Sequence, residues 1–150
     1  MEVDGDAAVL QGYRTLQARA EGDRPWSVLV QKQLKGKEVL LGVKQDATFG
    51  PVVVCGLGGI YTEVYKDVAQ TLAPINEAQA QELLAALRAF PLLQGVRGEA
   101  PVALPELARA LAALSRLAAA EPELKEVDLN PVMVNHQGCW AVDARLVWEE

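Results

Sequence analysis

The spacing of apolar residues along this chain shifts between helical and strand-like periods. Between Asp6 and Ala20, Ala7, Leu10, Tyr13 and Leu16 recur at helical spacing, which predicts a first helix. Glu21-Gly22-Asp23-Arg24-Pro25 supplies its stop. Val28 to Leu34 and Glu38 to Val43 are rich in Val and Leu, and Lys35-Gly36-Lys37 splits them, so a β-hairpin is expected there. A turn from Gln45 to Gly50 leads into Pro51-Val52-Val53-Val54-Cys55, an unbroken apolar run expected of a strand covered on both faces. Helical spacing returns after Asn76, a residue type that caps helices, with Ala80, Leu83, Leu84 and Leu87 on one face and Pro91 as the stop beyond Phe90. A further helix is expected from Pro105 to Pro122, with Leu104 as a staple and Leu107, Leu111, Leu114 and Ala118 as its stripe. The tail, Leu124 to Val134 and Cys139 to Val147, reads as a second hairpin around Asn135-His136-Gln137-Gly138. The fold class is therefore α+β, a mainly antiparallel sheet covered by two or three helices, in a single domain over 1–150 that includes the preceding helix.

Composition narrows the function classes. With 150 residues and 51% hydrophobic content the chain can build one sizeable core. A net charge of -6 argues against nucleic acid or an anionic membrane as the main partner, since both call for a basic patch. No apolar run approaches the ~20 residues of a bilayer span. Glu2, Asp4 and Asp6 have the wrong sign for a secretory signal, so a cytoplasmic protein is expected. Cys55 and Cys139 sit in apolar stretches and read as buried reduced thiols; the alternative, a disulfide, is a staple that a core of this size does not need. Trp26, Trp140 and Trp148 are expected to pack the core.

The last hairpin carries the most chemistry. Glu126, Asp128 and Asn130 alternate with apolar residues and so share one face. If Val134 pairs with Cys139, Asn130 falls opposite Asp143 and Asp128 opposite Arg145. Directly opposed side chains stand about 5 Å apart, close enough for one carboxylate and one amide oxygen to share a cation. Few, hard oxygen donors suit Mg²⁺ that keeps waters and bridges to a phosphate. On the pattern alone the favoured reading is a solvated edge hairpin in which Asp128 and Arg145 form a surface pair of little weight.

Other candidates are weaker. Gly56-Leu57-Gly58-Gly59 could bring backbone amides to a phosphate or could merely reverse the chain, and Tyr61 stands where a dinucleotide fingerprint would need glycine. Glu63 and Asp67, four apart, could be catalytic carboxylates or a wet acidic face. Arg97, between Gly95 and Gly98, could meet an anion or simply mark a turn. His136, at a hairpin tip with no second imidazole to join it, is rejected as nucleophile or ligand, and no catalytic triad can be assembled.

Together these strings resemble one family. Val28-Leu29-Val30-Gln31, Glu38 to Val43, Asp46 to Val53, Gly56 to Gly59 with Glu63 and Asp67, Leu93-Gln94-Gly95-Val96-Arg97-Gly98, Glu126 to Pro131 and Ala141 to Arg145 are similar, in order and spacing, to the ATP-grasp portion of NDP-forming acyl-CoA synthetases such as ADP-forming acetate–CoA ligase, relatives of succinyl-CoA synthetase. The resemblance implies interconversion of acid, CoA and ATP with acyl-CoA, ADP and phosphate through an acyl phosphate and a phosphohistidine. It implies that Val28 to Gln31 form a hinge strand beside the adenine, with Val30 and Gln31 facing the base. It implies that Arg97 contacts the nucleotide and that Asn130 and Asp143 hold Mg²⁺ on the phosphates of ATP or ADP. The chain matches only the second ATP-grasp subdomain. The first, with its phosphate-contacting lysine and histidine motif, and the CoA-binding domain are expected from a partner chain or domain, and an oligomer is expected. Half a clamp cannot place both sides of a phosphoryl group, so the chain alone is not expected to turn over. The alternative reading is a non-catalytic regulatory or interaction module derived from that fold.

Overall fold

The computed structural model describes residues 3–20, 26–59 and 67–149. They fall into two compact units, Met1–Leu34 and Lys35–Glu150. In the first unit, helix α1 spans Asp6–Arg19. Its apolar stripe stays exposed at Leu10, Tyr13 and Leu16, and the Tyr13 ring centroid lies 5.7 Å from that of Trp26. The expected strand over Val28 to Leu34 does not form, and Leu29 and Val30 are mostly exposed.

The second unit holds the sheet. Its strands are β1 (Lys37–Asp46), β2 (Gly50–Leu57), β3 (Val68–Leu72), β4 (Leu124–Asn135), β5 (Gly138–Ala141) and β6 (Arg145–Trp148). Helices α2 (Glu77–Ala85), α3 (Phe90–Leu93) and α4 (Leu104–Ala120) lie between β3 and β4 in the chain. The strand order is β3-β2-β1-β4-β5 with β6 also on β4, and every described pairing is antiparallel. Both edges of β1 are taken, by β2 and β4. That leaves no edge for Val28 to Leu34, so the first hairpin is β1–β2, closed by Asp46, whose Oδ1 accepts the N–H groups of Thr48 (2.8 Å) and Phe49 (3.0 Å).

The core lies on one face of the sheet. Val39, Leu41, Val43, Val53, Cys55, Val127, Val132 and Val134 point at α2 and α4, which contribute Ala80, Leu84, Leu107, Leu111 and Ala118. Pro51 to Cys55 is thus fully covered on that face only; Val52 and Val54 are half-buried. Helix α2 begins as expected, with Asn76 and Gln79 exchanging side-chain-to-backbone bonds, but it ends at Ala85 and not at Phe90. The Arg88 and Ala89 N–H groups turn instead to the buried Asp67 carboxylate, at 2.9 and 2.8 Å. Pro91 therefore does not stop that helix. It sits in the first turn of α3, where its missing N–H costs nothing. Likewise Leu104 is the first residue of α4, with Ala103 in the capping position.

Two further expectations are corrected. Trp26, Trp140 and Trp148 are all substantially exposed, because Trp26 lies in a loop and the other two on the outer strands β5 and β6. Both cysteines are free, but only Cys55 is buried. Burial, reinforced by the Asp67 carboxylate, pushes the Cys55 thiol up to about 12. Among the described residues no helix is long and apolar enough to cross a membrane.

Candidate functional site

Residues that alternate with the core line the opposite, open face of the sheet. The register sets them in rows: Val52, Lys44, Glu126 and Val147 in one, and Val54, Gly42, Asp128 and Arg145 in the next. The pairings Val134 with Cys139 and Asp128 with Arg145 follow from the two-residue turn His136-Gln137, where Asn135 Oδ1 accepts the Gln137 N–H at 2.8 Å. His136 is exposed at that tip.

The row between them is interrupted. Val39 faces Val132 while Leu41 faces Leu129, so β4 carries one extra residue at Asn130-Pro131. Opposite that bulge the outer strand breaks into β5 and β6, leaving residues 142–144 outside the ladder, with the Val142 N–H donating to Pro131 O at 3.0 Å. Asn130 and Asp143 are therefore not a ladder pair. They occupy facing interruptions bracketed by Val132–Ala141 and Asp128–Arg145, and both side chains are exposed. Asp143 Oδ1 accepts the Ala144 N–H at 2.8 Å, and the side chain is otherwise exposed. One carboxylate and one amide oxygen are hard donors too few to enclose a cation, which fits Mg²⁺ carried largely by water and phosphate. Among the described residues no group of three His, Cys, Asp or Glu side chains offers a competing cage.

The expected Asp128–Arg145 ion pair does not form. The Arg145 guanidinium instead reaches Glu126 Oε1 at 3.3 Å, diagonal to its ladder partner.

The glycine turn has a different role from a phosphate cradle. The Gly58 N–H already donates to Glu38 O at 2.7 Å, so it is not available to a ligand. A Cβ on Gly58 would stand 2.8 Å from the Glu38 Cβ, so the close approach needs glycine. Lys37, Glu38, Leu57, Gly58, Gly59 and Leu92 line an open cleft of about 410 Å³ at this end of the sheet. The Glu38 carboxylate can accept from hydroxyl or amine donors, and the Lys37 ammonium borders the same cleft. Sequence reasoning missed Glu38 as a site residue; its polar position between buried Val39 and a glycine turn was the available signal.

Asp67 is neither catalytic nor part of a wet face, since its buried carboxylate clamps Arg88 and Ala89. Glu63 lies outside the described residues. Arg97 is exposed and holds a left-handed backbone (φ 54) between Gly95 and Gly98. Non-glycine residues rarely adopt that conformation, which presents the guanidinium from a tight loop. Among the described residues no hydrogen bond or ion pair joins Arg97 to Asn130 or Asp143. Val30 and Gln31 belong to the first unit and are exposed.

Comparison with known proteins follows the same outline. A profile of the ATP-grasp domain matches residues 1–147. The beta subunit of ADP-forming acetate–CoA ligase I from Pyrococcus furiosus is 37% identical over 152 residues, which is 98% of this chain and 66% of that subunit. ADP-forming acetate–CoA ligase I from Archaeoglobus fulgidus is 43% identical over 150 residues, 99% of this chain but 22% of that protein. Among solved structures, the dinucleotide-forming acetyl-coenzyme A synthetase 1 of Ca. Korarchaeum cryptofilum, in complex with coenzyme A and Mg-AMPPCP, matches with a TM-score of 0.76 at 32% identity over 95% of this chain and 64% of that one. The chain thus spans under two thirds of one relative's length and about a fifth of another's.

Proposed function

The chain belongs to the ATP-grasp domain family, and from that premise we propose that it supplies the magnesium–nucleotide half-site of an ADP-forming acid–CoA ligase. The observation that carries this reading is the double interruption of the β4 ladder, which frees Asn130 and Asp143 as oxygen donors on the open face. Asn130 and Asp143 hold Mg²⁺, which when bound neutralises phosphate charge. Arg97 adds a guanidinium for a phosphate oxygen, a geometry suited to bidentate contact. Val30 and Gln31 face the base. The relatives named above are ADP-forming ligases, and their greater length supports a partner chain or domain that contributes the other side of the clamp and the CoA site.

Half of a clamp leaves the terminal phosphoryl group open to water, so the isolated chain binds ATP with Mg²⁺ weakly and makes no acyl-CoA. The test is calorimetric titration of ATP with and without Mg²⁺, on the chain alone and after mixing with a chain carrying the first ATP-grasp subdomain and CoA domain. Magnesium-dependent binding that tightens on mixing, with acid- and CoA-dependent ADP release, is the expected result. Binding that does not respond to the partner would overturn the reading in favour of a non-catalytic module.

A further inference from the structure

Lys37 and Glu38 are neighbours on β1 and so point to opposite faces of the sheet. Glu38 and Lys37 both border the cleft beside Gly58, and Lys37 also turns toward the helix side. There the start of β1, the loop from Glu99 to Val102 and the β4–β5 turn surround a second cavity of about 440 Å³. Its walls are fixed through the backbone. Asn135 Nδ2 donates to Lys35 O at 2.8 Å, and the Ala103 N–H donates to Asn135 O at 2.8 Å. Gly36 lies so close to Val134 that a Cβ there would collide with the Val134 carbonyl.

The lining is cationic in a chain of net charge -6. Lys35, Lys37 and His136 project from the rim against a single carboxylate, Glu99, while Ala100, Val102 and Val134 form an apolar floor. Glu99 Oε2 reaches across to Lys37 Nζ at 2.7 Å, and both side chains remain partly exposed. An exposed pair of this kind is held weakly, so an incoming anion can replace the carboxylate at little cost. The volume lies in the range of small-molecule pockets, about 300–1,000 Å³, and exceeds what one inorganic phosphate fills.

We propose that this pocket binds a small phosphate monoester, its phosphate taken by Lys37 and His136 in place of Glu99 and its short apolar part resting on Val102 and Val134. The site adjoins the Glu38 cleft at Gly36 and Lys37 and does not depend on the nucleotide reading of Asn130 and Asp143. An occupant would act on β1 where β1 also shapes the open-face cleft.

The test is a titration of the full chain followed by amide NMR, with glycerol 3-phosphate, inorganic phosphate and sodium chloride at matched ionic strength. Glycerol 3-phosphate should give saturable shifts at Lys37, Glu99, Val102 and Asn135, inorganic phosphate weaker ones, and chloride none. Lys37→Met should weaken the ester by about tenfold, and Glu99→Gln, which removes the competing carboxylate, should tighten it by about threefold. His136→Gln, at an exposed turn that leaves the fold intact, should also weaken it. Shifts reproduced by chloride, an unchanged affinity in Lys37→Met or His136→Gln, or a weaker ester in Glu99→Gln would overturn the proposal. Inorganic phosphate bound as tightly as the ester would overturn the assignment to a monoester.

Discussion

Asp128 lies directly opposite Arg145 across the β4–β6 ladder, yet the Arg145 guanidinium reaches past it to Glu126, 3.3 Å away. Among the described residues Asp128 therefore has no ion-pair partner on the open face, two residues from Asn130. Glu126 is the carboxylate that is already neutralised.

This sets an order of effects on magnesium-dependent nucleotide binding, measured by calorimetry with the partner subdomain present. Asp143→Asn removes the formal charge of the proposed donor pair and should weaken binding by about tenfold or more. Asp128→Asn should weaken it less, through the longer-range field alone. Glu126→Gln should change it little, because its charge is already spent on Arg145. All three should keep the thermal midpoint of the parent, since partly exposed carboxylates contribute little to stability. Unchanged affinity in Asp143→Asn, or a larger loss in Glu126→Gln, would remove Asp143 from the site.

The buried carboxylate of Asp67 should behave in the opposite way. It accepts two backbone N–H groups where α2 gives way to α3. Asp67→Ala leaves two part-buried donors without their acceptor and should cost about 2 kcal/mol in urea unfolding. Asp67→Asn keeps one acceptor oxygen and should cost less. An Asp67→Ala protein as stable as the parent would show that water replaces the carboxylate.

The Cys55 thiol gives a pH signature. Its folded-state pKa is pushed up to about 12 by burial and then by Asp67. An unfolded thiol titrates near about 8.5, so the unfolded state loses its proton first as pH rises. The contribution is complete below that value and is lost progressively as pH climbs toward the folded pKa. Urea melts between about pH 9 and 11 should show stability falling more steeply in the parent than in Cys55→Ala. Iodoacetamide should label the half-buried Cys139 before Cys55, and equal rates would contradict the burial.

Gly58→Ala should separate the cleft from the core. The added Cβ would meet Glu38 at 2.8 Å and displace the turn that lines the cleft, while Leu107 and Leu111 lie elsewhere, fully buried. Nucleotide affinity should fall by a larger factor than stability, which Leu111→Ala would lower by about 3 kcal/mol. A Gly58→Ala protein with parental affinity would show that the cleft takes no part in binding.

Local chemistry made much of this fold legible. The β4–β5–β6 register could be derived because a short turn with Gly138 fixes pairing by parity, and the stripe of Leu107, Leu111 and Ala118 marked α4. What the sequence hid were competitions settled at long range. Val28 to Leu34 carries a strand composition but cannot pair with β1, since β2 and β4 occupy both its sides. Helical spacing runs past Ala85, yet Asp67 captures the N–H groups that would have continued it. The bulge at Asn130-Pro131 likewise depends on its partner strand, so the sequence could align Asn130 with Asp143 but not show that both leave the ladder. Apolar composition did not reveal that the three tryptophans would stay exposed.

Because the large, fully buried side chains all lie on the helix side of the sheet, the other face carries little of the burden of folding. Positions such as Lys44, Val52, Gln70 and Leu72, which share that face, can drift without dissolving the scaffold beneath them. A lineage built on this sheet can therefore diversify what it recognises faster than what it is, and swapping that face between descendants would transplant a binding preference while leaving each recipient's architecture its own.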